Sequence, residues 1–316
     1  MYDVIVVGGG AAGLTAALYT ARQGMSTLVL TKDIGGQAIL TPSIENYPGF
    51  ESISGLEFAE RVKEQAERFN AEFRYEEVKG IEAVDDYYLV RSNMGEYETI
   101  SVILAFGKTP RDLNVPGEAR LVGKGVSYCA VCDAPLYKGK RVAVVGIGDP
   151  ALDATLMLCS IAERVYLISR SSALVGHKDL MGSCSNARNV ELLLSANVLE
   201  IVGDNKVKGI KVKDAQGIKD IEVDGVFVEL GYIARTEWLK GLVELNEKGE
   251  IVVNNKQETS RAGIFAAGDV TDTPFKQLVI SAGEGAKAGL AAYNYVQRLK
   301  GKPVVRSDWK TLLTNK

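Results

Sequence analysis

A strand–turn–helix–strand pattern occurs twice in this chain of 316 residues, and it constrains the fold more than any other feature. DVIVVGGGAAGLTAALYTARQGMSTLVLTK begins at Asp3, and RVAVVGIGDPALDATLMLCSIAERVYLISR begins at Arg141. The stretches align without a gap at an offset of 138, and each contains a G-x-G-x-x-G/A turn between apolar runs. In such βαβ units the glycines let the backbone approach a pyrophosphate at a helix N-terminus. The repeat therefore predicts an α/β protein with two Rossmann-like dinucleotide-binding domains.

The domain order follows from three further apolar strands that end in glycine. VILAFGKTPR from Val102 resembles VFVELGYIAR from Val226, so each half has a strand that returns the chain to the nucleotide-binding edge. RAGIFAAGDV (261–270) has no counterpart in the second copy. We therefore predict that the second domain is inserted in the first, with residues 1–112 and 244–316 forming one domain and residues 113–243 the other.

A capping box precedes one helix that fits this α/β interpretation. Ser54 and Glu57 have the N-cap and N3 spacing, and apolar residues follow at helical intervals. We expect this helix to cover a sheet.

Composition excludes several other classes of protein. The net charge is −3, and the Lys and Arg residues are scattered, which argues against a nucleic-acid partner. Residues 4–21 are uncharged, but three glycines in their middle favour strand–turn–helix over a membrane span. There is no cleavable signal pattern, and four unevenly spaced cysteines do not form a secreted disulfide framework. We expect a cytoplasmic protein that binds neither membrane nor nucleic acid.

Two of the four cysteines lie in CAVCD (129–133), and a C-x-x-C pair has three common uses. A structural zinc site needs about four Cys or His ligands, and only Cys159, Cys184 and His177 remain to complete one. Cys159 falls on the helix of the second repeat, where packing is expected, and His177 is expected to be an exposed loop residue. A structural disulfide is rare in intracellular proteins. The pattern favours a redox-active dithiol, with no metal site.

Together these motifs make the chain resemble the low-molecular-weight thioredoxin reductases over nearly its whole length. The segments that carry the resemblance are GGGAAG (8–13), GGQ (35–37), ENYPGF (45–50), CAVCD (129–133), FAAGDV (265–270) and KQLVISAGEG (276–285).

The resemblance implies that FAD lies across the first domain, with its pyrophosphate over the first glycine turn. Asp269 would contact the ribityl chain, and Gln277 and Leu278 would lie near the flavin ring. The implied FAD-binding residues are Gly8, Gly10, Ala11, Ala12, Gly13, Thr31, Gly35, Gly36, Gln37, Asn46, Val78, Gly107, Gly268, Asp269, Lys276, Gln277 and Leu278.

The resemblance also implies the chemistry of the dithiol. Cys132 would react with the flavin, Cys129 would attack the substrate disulfide, and Asp133 would exchange protons with the departing thiolates. Thioredoxin or a glutaredoxin-like protein would be the substrate, and the protein would be a homodimer. The inserted domain would rotate about hinges near residues 111–115 and 242–245.

The distribution of histidine agrees with the proton-transfer role of Asp133. Related large disulfide reductases use a C-terminal histidine as the acid–base group, and no histidine follows His177 here. A carboxyl beside the dithiol can replace it if its pKa is raised. The alternative is that Asp133 merely caps a helix or turn.

The second nucleotide site departs from the family pattern. Gly146 and Gly148 are present, but the turn reads GIGDPA, and Pro150 has no N–H to offer a phosphate. Proline is nevertheless tolerated in the first turn of a helix. Of three arginines expected to bind the 2′-phosphate of NADPH, only Arg170 remains, and Val175 replaces another. No acidic residue at 169–172 is available for the ribose of NADH.

The electron donor therefore stays open among NADPH, NADH and a carrier such as ferredoxin. Two other functions also fit this sequence. One is a non-catalytic flavin redox sensor, and the other is an NADH oxidase that does not need the dithiol. We predict a thioredoxin reductase-like flavoenzyme that passes electrons from its donor through FAD to the Cys129–Cys132 disulfide.

Overall fold

The computed structural model describes residues 1–41 and 43–304, and the chain divides into two compact units. Unit 1 comprises Met1–Lys108 and the chain from Ala234 onward, and unit 2 comprises Thr109–Ile233. Residues 305–316 of the predicted first domain lie outside the described residues.

The predicted boundaries, after residues 112 and 243, lie four and ten residues further along the chain than this division, which falls after residues 108 and 233. Ala234, Leu239 and Val243 are buried in the core of unit 1, which is why the stretch they occupy belongs to that unit. Short strands at 109–110 and 232–233 pair with each other, so both are part of unit 2.

Within its described residues, unit 1 contains a seven-stranded sheet and three α-helices. Elements are labelled in chain order, and those of unit 1 are β1 (Tyr2–Val7), α1 (Ala11–Arg22), β2 (Thr27–Thr31), α2 (Gly55–Glu67), β3 (Glu72–Tyr75), β4 (Val78–Val84), β5 (Tyr87–Ser92), β6 (Glu96–Leu104), β17 (Ile264–Ala266) and α7 (Leu278–Leu299). The strand order is β3-β2-β1-β6-β5-β4, and β17 also pairs with β6. Strands β3, β2, β1, β6 and β17 are mutually parallel, whereas β4, β5 and β6 form an antiparallel meander.

Unit 2 repeats the parallel arrangement on a smaller scale. Its elements are β7 (Thr109–Pro110), α3 (Glu118–Leu121), β8 (Val126–Ser127), α4 (Ala130–Asp133), β9 (Arg141–Gly146), α5 (Asp149–Cys159), β10 (Arg164–Ile168), α6 (Lys178–Asn186), β11 (Val190–Leu193), β12 (Asn197–Gly203), β13 (Val207–Asp214), β14 (Gly217–Ile221), β15 (Gly225–Glu229) and β16 (Tyr232–Ile233). The order β11-β10-β9-β15-β8 is parallel throughout, and β12-β13-β14 form a separate antiparallel sheet.

These parallel sheets with crossover helices confirm the predicted α/β class. The central strands are continuous apolar runs because both faces of such sheets are covered. Val4, Ile5, Val142 and Val144, for example, are fully buried.

The predicted turn before α1 and the predicted cap of α2 are confirmed, whereas α2 packs chiefly on α1 and not on the sheet that we expected it to cover. Residues 4–21 form most of β1, a turn and α1, and no helix within the described part of the chain is long and apolar enough to cross a membrane. At the start of α2 the Ser54 hydroxyl accepts a hydrogen bond from the Glu57 N–H at 3.2 Å, which is the N-terminal cap that the sequence predicted.

Candidate functional site

The turn between β1 and α1 has no room for side chains on its inner surface. Gly8 adopts a φ of +110°, which residues other than glycine rarely adopt. A Cβ on Gly13 would overlap the Gly8 carbonyl oxygen. Gly10 differs, because the nearest atom to a Cβ there would be the Gly35 carbonyl oxygen at 3.9 Å. The helix is thus packed tightly onto the turn, while Gly10 has a looser neighbour in Gly35, with which it forms a parallel β-bridge.

The N-terminus of α1 offers several amide groups to an anion. The first helical hydrogen bond runs from the Leu14 N–H to the Gly10 carbonyl at 2.9 Å. The N–H groups of residues 11–13 precede it, and the first turn contains no acidic side chain. Free amides and the positive end of the helix dipole favour a phosphate here. This cradle fits the pyrophosphate of a dinucleotide.

The segment after β2 lies against the same turn. The Gly35 N–H donates to the Gly9 carbonyl at 2.7 Å, and the Gly36 N–H donates to the Asp33 carboxylate at 3.1 Å. The Thr31 hydroxyl donates to the Asp33 carbonyl at 2.6 Å. The predicted FAD-binding residues at 31, 35 and 36 are therefore brought together with the glycine turn.

The segment FAAGDV reaches the same helix terminus from the far end of the chain. A Cβ on Gly268 would lie 2.9 Å from the Ala12 Cβ, so the two backbones are in close contact. The Gly268 N–H donates to the buried Glu284 carboxylate at 2.8 Å, and the Asp269 carboxylate accepts from the Ser281 hydroxyl at 3.2 Å. The positioning role of Glu284 was not predicted, although the residue lies in the quoted segment KQLVISAGEG.

Two side-chain contacts join other predicted FAD-binding residues. The Asn46 amide donates to the Gln277 side-chain oxygen at 3.1 Å, across 231 residues of sequence. The Gln37 amide donates to the Lys108 carbonyl at 2.9 Å, immediately after Gly107.

The remaining predicted residues of unit 1 lie in different surroundings. Lys276 donates to the Thr271 carbonyl at 2.6 Å, and burial lowers the pKa of its ammonium group. Leu278 packs on the apolar cluster that contains Ala11. Val78 begins β4 and packs on the apolar core shared by β1 and β2. Its predicted contact with FAD stays a prediction, as do the roles of the other residues.

In unit 2 the two cysteines of CAVCD are joined in a disulfide, with their Cα atoms 5.4 Å apart. Cys129 is the N-cap of α4, and its sulfur accepts a hydrogen bond from the Cys132 N–H at 3.1 Å. Cys132 is exposed and Cys129 is partly buried. The Ser127 hydroxyl accepts from the Cys129 N–H at 3.0 Å and donates to its carbonyl at 3.2 Å. The disulfide is therefore held on an ordered backbone with one sulfur-bearing residue at the surface.

Two carboxyl groups lie on the elements around this disulfide. Asp133, the predicted acid–base group, ends α4 half-buried, and its N–H donates to the Cys129 carbonyl at 3.2 Å. Glu229 ends β15, and its partly buried carboxyl group lies near the backbone of Ala130, the first residue of α4. Burial raises the pKa of Glu229 to about 7. The sequence contained a signal for Glu229, because a charged residue closes an otherwise apolar strand, but we did not predict a role for it.

This pKa gives a testable dependence of stability on pH. Because the folded pKa of Glu229 lies above its ordinary value of 4.5, folding costs nothing extra below about pH 4.5, and the cost grows until about pH 7. We expect Glu229→Gln to raise the free energy of unfolding by roughly 2 kcal/mol at pH 8, with almost no effect near pH 4.5. Denaturant unfolding of the wild type and of Glu229→Gln at pH 8 and pH 4.5 measures this difference in the free energy of unfolding. An equal effect of the substitution at both pH values would contradict a raised pKa for Glu229.

The second glycine turn differs from the first in the amides that it offers. Pro150 has no N–H, and the Ala151 N–H donates to the Gly148 carbonyl at 3.1 Å. The Asp149 N–H is therefore the one amide of residues 149–151 left for a phosphate. The Asp149 carboxylate lies in this first turn and accepts from the His177 N–H at 2.7 Å. The N-terminus of α5 therefore carries the negative charge of Asp149 and is occupied by the loop that contains His177. A pyrophosphate would need free amides at that position.

The residues around this second glycine turn offer few contacts that could bind a nicotinamide nucleotide. Gly146 and Gly148 occupy the predicted positions, and Gly148 has a φ of +80°. Arg170 is exposed just after β10, and within residues 1–41 and 43–304 it makes no ion pair. The geometry of this turn therefore fits a dinucleotide poorly. The hydrogen bond from the His177 N–H to the Asp149 carboxylate was not predicted, although the sequence GIGDPA already showed an acidic residue in this turn.

Comparison with known proteins places these features in context. The family model described as pyridine nucleotide-disulphide oxidoreductase matches residues 2–302. An alkyl hydroperoxide reductase component of Pseudomonas aeruginosa is 41% identical over 305 residues, which cover 94% of this chain and 58% of that protein. The chain thus spans little more than half of that relative. The thioredoxin reductase of Bacillus subtilis is 38% identical over 304 residues, covering 95% of this chain and 96% of that protein.

Solved structures show the same likeness. The thioredoxin reductase of Lactococcus lactis has a TM-score of 0.80 and 34% identity, covering 94% of this chain and 100% of that one. A ferredoxin-flavin thioredoxin reductase of Clostridium acetobutylicum has a TM-score of 0.52 and 34% identity, covering 95% of this chain and 99% of that one.

Proposed function

Because the chain belongs to the pyridine nucleotide-disulphide oxidoreductase family, we propose that it is an FAD-dependent disulfide reductase of the thioredoxin reductase type. Its substrate would be thioredoxin or a glutaredoxin-like protein. The observation that carries this proposal is the Cys129–Cys132 disulfide at the start of α4, with Cys132 exposed. A closely spaced, accessible pair of this kind can be opened and closed in each turnover.

FAD is the cofactor of this family, and the first glycine turn fits it. The N-terminal amides of α1, the absence of a side chain at Gly10 and the absence of an acidic side chain in the first turn of α1 suit a pyrophosphate. FAD, when bound, supplies the electron pair that opens the disulfide. We propose that the other predicted residues of unit 1, which include Asn46, Asp269 and Gln277, hold the rest of the cofactor.

The dithiol would then exchange with the substrate disulfide. We assign attack on the substrate to Cys129 and closure of the Cys129–Cys132 disulfide to Cys132. Asp133 lies on the same short helix, where its carboxyl can exchange protons with the cysteine thiols. These assignments are consistent with the positions of the three residues on α4 and its N-cap.

One observation favours an electron donor other than a nicotinamide nucleotide. The N-terminus of α5 carries Asp149 and Pro150, and the single exposed Arg170 is all that remains of the predicted 2′-phosphate clamp. We therefore propose that a low-potential carrier such as ferredoxin reduces the flavin. Two one-electron carriers would be oxidised for each disulfide reduced. A ferredoxin at about −400 mV can reduce a thioredoxin at about −270 mV.

Anaerobic reduction of the flavin tests this choice of donor. We expect reduced ferredoxin to bleach the flavin absorbance fully, while NADPH and NADH act at least a hundredfold more slowly, because the second turn leaves a phosphate one amide, beside the Asp149 carboxylate. The double variant Asp149→Ala/Pro150→Ala gives these two positions the residues of the first turn, Ala11 and Ala12, and should accelerate reduction by nucleotides. Fast bleaching of the wild type by NADPH or NADH would contradict the proposed donor and leave the disulfide reductase proposal intact.

We further propose a homodimer in the cytoplasm. The dimer is an expectation from the resemblance, and sedimentation equilibrium measures it. The cytoplasm is supported by the two free cysteines, Cys159 and Cys184, which a reducing compartment would preserve.

A further inference from the structure

A cavity of about 630 Å³ lies in unit 1, between the loop at residues 255–263 and the C-terminal half of α7. The α7 residues that line it have the spacing i, i+3, i+4, i+7, i+8 and i+11, so they form one face of the helix. They are Lys287, Leu290, Ala291, Asn294, Tyr295 and Arg298. The first residues of β17 line the same cavity.

Four basic side chains line this cavity, two from the loop and two from α7: Lys256, Arg261, Lys287 and Arg298. All four residues are exposed, and none of them forms an ion pair within residues 1–41 and 43–304. Glu258 is the acidic residue in the lining, so four positive charges stand against one negative and the net charge is +3. We call this lining the basic groove.

The positive charge of the basic groove contrasts with the rest of the chain, whose net charge is −3. Many basic residues elsewhere have an acidic neighbour, as Lys208 has in Asp204 at 2.8 Å. Arg298 by itself suits the negative end of the α7 dipole, but Lys287 lies in the middle of the helix and the other two cations lie on the loop. Like charges repel, and a bound anion would remove that repulsion.

The loop that carries two of these cations is held in place by its own hydrogen bonds. The Asn254 side-chain oxygen accepts from the N–H groups of Lys256 and Glu258, at 2.9 and 3.1 Å. The Asn254 amide donates to the Glu258 carboxylate at 2.7 Å, so the acid of the lining is already engaged. The Arg261 N–H donates to the Thr259 hydroxyl at 3.2 Å. An ordered loop lowers the entropy that a ligand must overcome on binding.

The basic groove also offers apolar surface. Leu290, Ala291 and Tyr295 lie along α7 between its two basic lining residues, and all three are partly exposed. A Cβ on Gly263 would lie 2.9 Å from the Tyr295 ring, so the loop approaches this ring closely. A ligand of the groove can therefore combine negative charge with an apolar part.

The basic groove is separate from the cradle at the first glycine turn. α7 begins at Leu278, which packs on the apolar cluster of Ala11, and Lys287 lies nine residues further along the helix. At 1.5 Å per residue this is a distance of about 14 Å. β17 similarly begins at the groove and leads to Gly268 at the cradle. A ligand in the groove would not compete with FAD.

We propose that the basic groove binds an organic phosphate that carries two or more negative charges, such as a nucleoside diphosphate. The phosphates would lie against the four basic side chains, where guanidinium groups suit phosphate oxygens. The apolar part would lie on Leu290 and Tyr295. The cavity falls within the range of about 300–1,000 Å³ that is typical of small-molecule sites. A net charge of +3 matches a diphosphate better than it matches a single carboxylate.

Calorimetric titration of the full chain with excess FAD tests this site with three probes. ADP has both the phosphates and an apolar base, pyrophosphate has the charges alone, and adenosine has the base alone. We expect ADP to bind about tenfold more tightly than pyrophosphate, because the groove also covers the base, and adenosine to give no measurable binding. The flavin absorbance should not change. No disulfide takes part, so the result is independent of the proposed reductase function.

Variants locate the bound ADP. Arg261→Gln and Arg298→Gln should each weaken ADP binding about tenfold, because each removes a charged partner of the phosphates. Leu290→Ala should weaken ADP binding about fivefold and leave pyrophosphate binding unchanged. Arg68→Gln is the matched control, because Arg68 is an exposed arginine at the end of α2 outside the groove, and this variant should bind ADP like the wild type. Unchanged flavin content shows that each variant folds.

Loss of ADP binding in Arg170→Gln, with full binding in Arg261→Gln, would overturn the proposal and place the nucleotide at the second glycine turn. Equal weakening in Arg68→Gln and in the groove variants would also overturn it, because that pattern indicates unspecific attraction of anions to the surface. Absence of ADP binding at millimolar concentration, or tighter binding of a peptide of alternating glutamate and leucine, would refute an organic phosphate as the ligand.

Discussion

Replacement of either Cys129 or Cys132 by serine should lower steady-state reduction of thioredoxin-type disulfides by about a thousandfold or more. Each exchange needs a thiolate to attack the substrate and a second thiol to resolve the mixed disulfide, and a serine hydroxyl does neither at neutral pH. The disulfide joining these two residues, with Cα atoms 5.4 Å apart, is the observation behind this expectation. Turnover is measured with oxidised thioredoxin, using reduced ferredoxin or dithionite as the electron source.

Cys159→Ser is the matched control for these variants. Cys159 lies on α5, and its thiol donates to the Leu156 carbonyl at 3.1 Å, so the replacement hydroxyl can keep that bond. We expect this variant to retain turnover. Full disulfide reductase activity in Cys129→Ser or Cys132→Ser would refute the mechanism, and oxygen consumption that survives in both would favour the oxidase alternative. A wild type that shows no turnover with any donor would favour the redox sensor.

The second large effect should follow from Gly13→Ala. An added methyl group would overlap the Gly8 carbonyl oxygen, so α1 would have to move away from β1. We expect the purified variant to lack bound flavin, with an affinity for FAD at least about a hundredfold lower and a stability lower by about 3 kcal/mol. The flavin absorbance of the purified protein and a titration of the apoprotein with FAD measure the loss.

Two other glycines separate the effect on the fold from the effect on the cofactor. Gly10→Ala should fold normally, since Gly10 has a φ of −78° and the nearest atom to its Cβ would be 3.9 Å away, yet it should weaken FAD binding. Gly283 lies on the exposed side of α7, and a Cβ there would have no atom within 4 Å. Gly283→Ala should therefore change neither the stability nor the FAD affinity. Normal flavin content in Gly13→Ala would show that this turn does not hold the pyrophosphate.

The first glycine turn and the repeated βαβ unit could be predicted because their signals are local. Gly8 must be glycine for its own backbone conformation, and Ser54 caps α2 through a residue three positions away. Interactions of this range are encoded within a few residues of sequence, so the class of fold and a cradle for a dinucleotide followed from pattern, and the resemblance then implied FAD. The pairing of Cys129 with Cys132 is equally local, although three uses of that pair were compatible with the sequence.

The limits of the two units were less accessible to pattern. Residues 234–243 were predicted in the second domain, but the burial of Leu239 and Val243 in the core of unit 1 groups them with that unit. No local signal distinguishes a linker from a short apolar segment that packs on a distant core.

The amino-acid sequence by itself determined the α/β class, the two glycine turns, the dithiol and the loss of the nucleotide clamp, because each depends on neighbouring residues. Tertiary structure alone decided which distant groups meet. It joined Asn46 to Gln277 by a hydrogen bond, paired the Asp149 carboxylate with the His177 N–H and partly buried the Glu229 carboxyl at the end of β15. These contacts depend on the register of strands and the packing of helices, and burial then sets the proton affinity of Glu229 in a way that no short stretch of sequence contains.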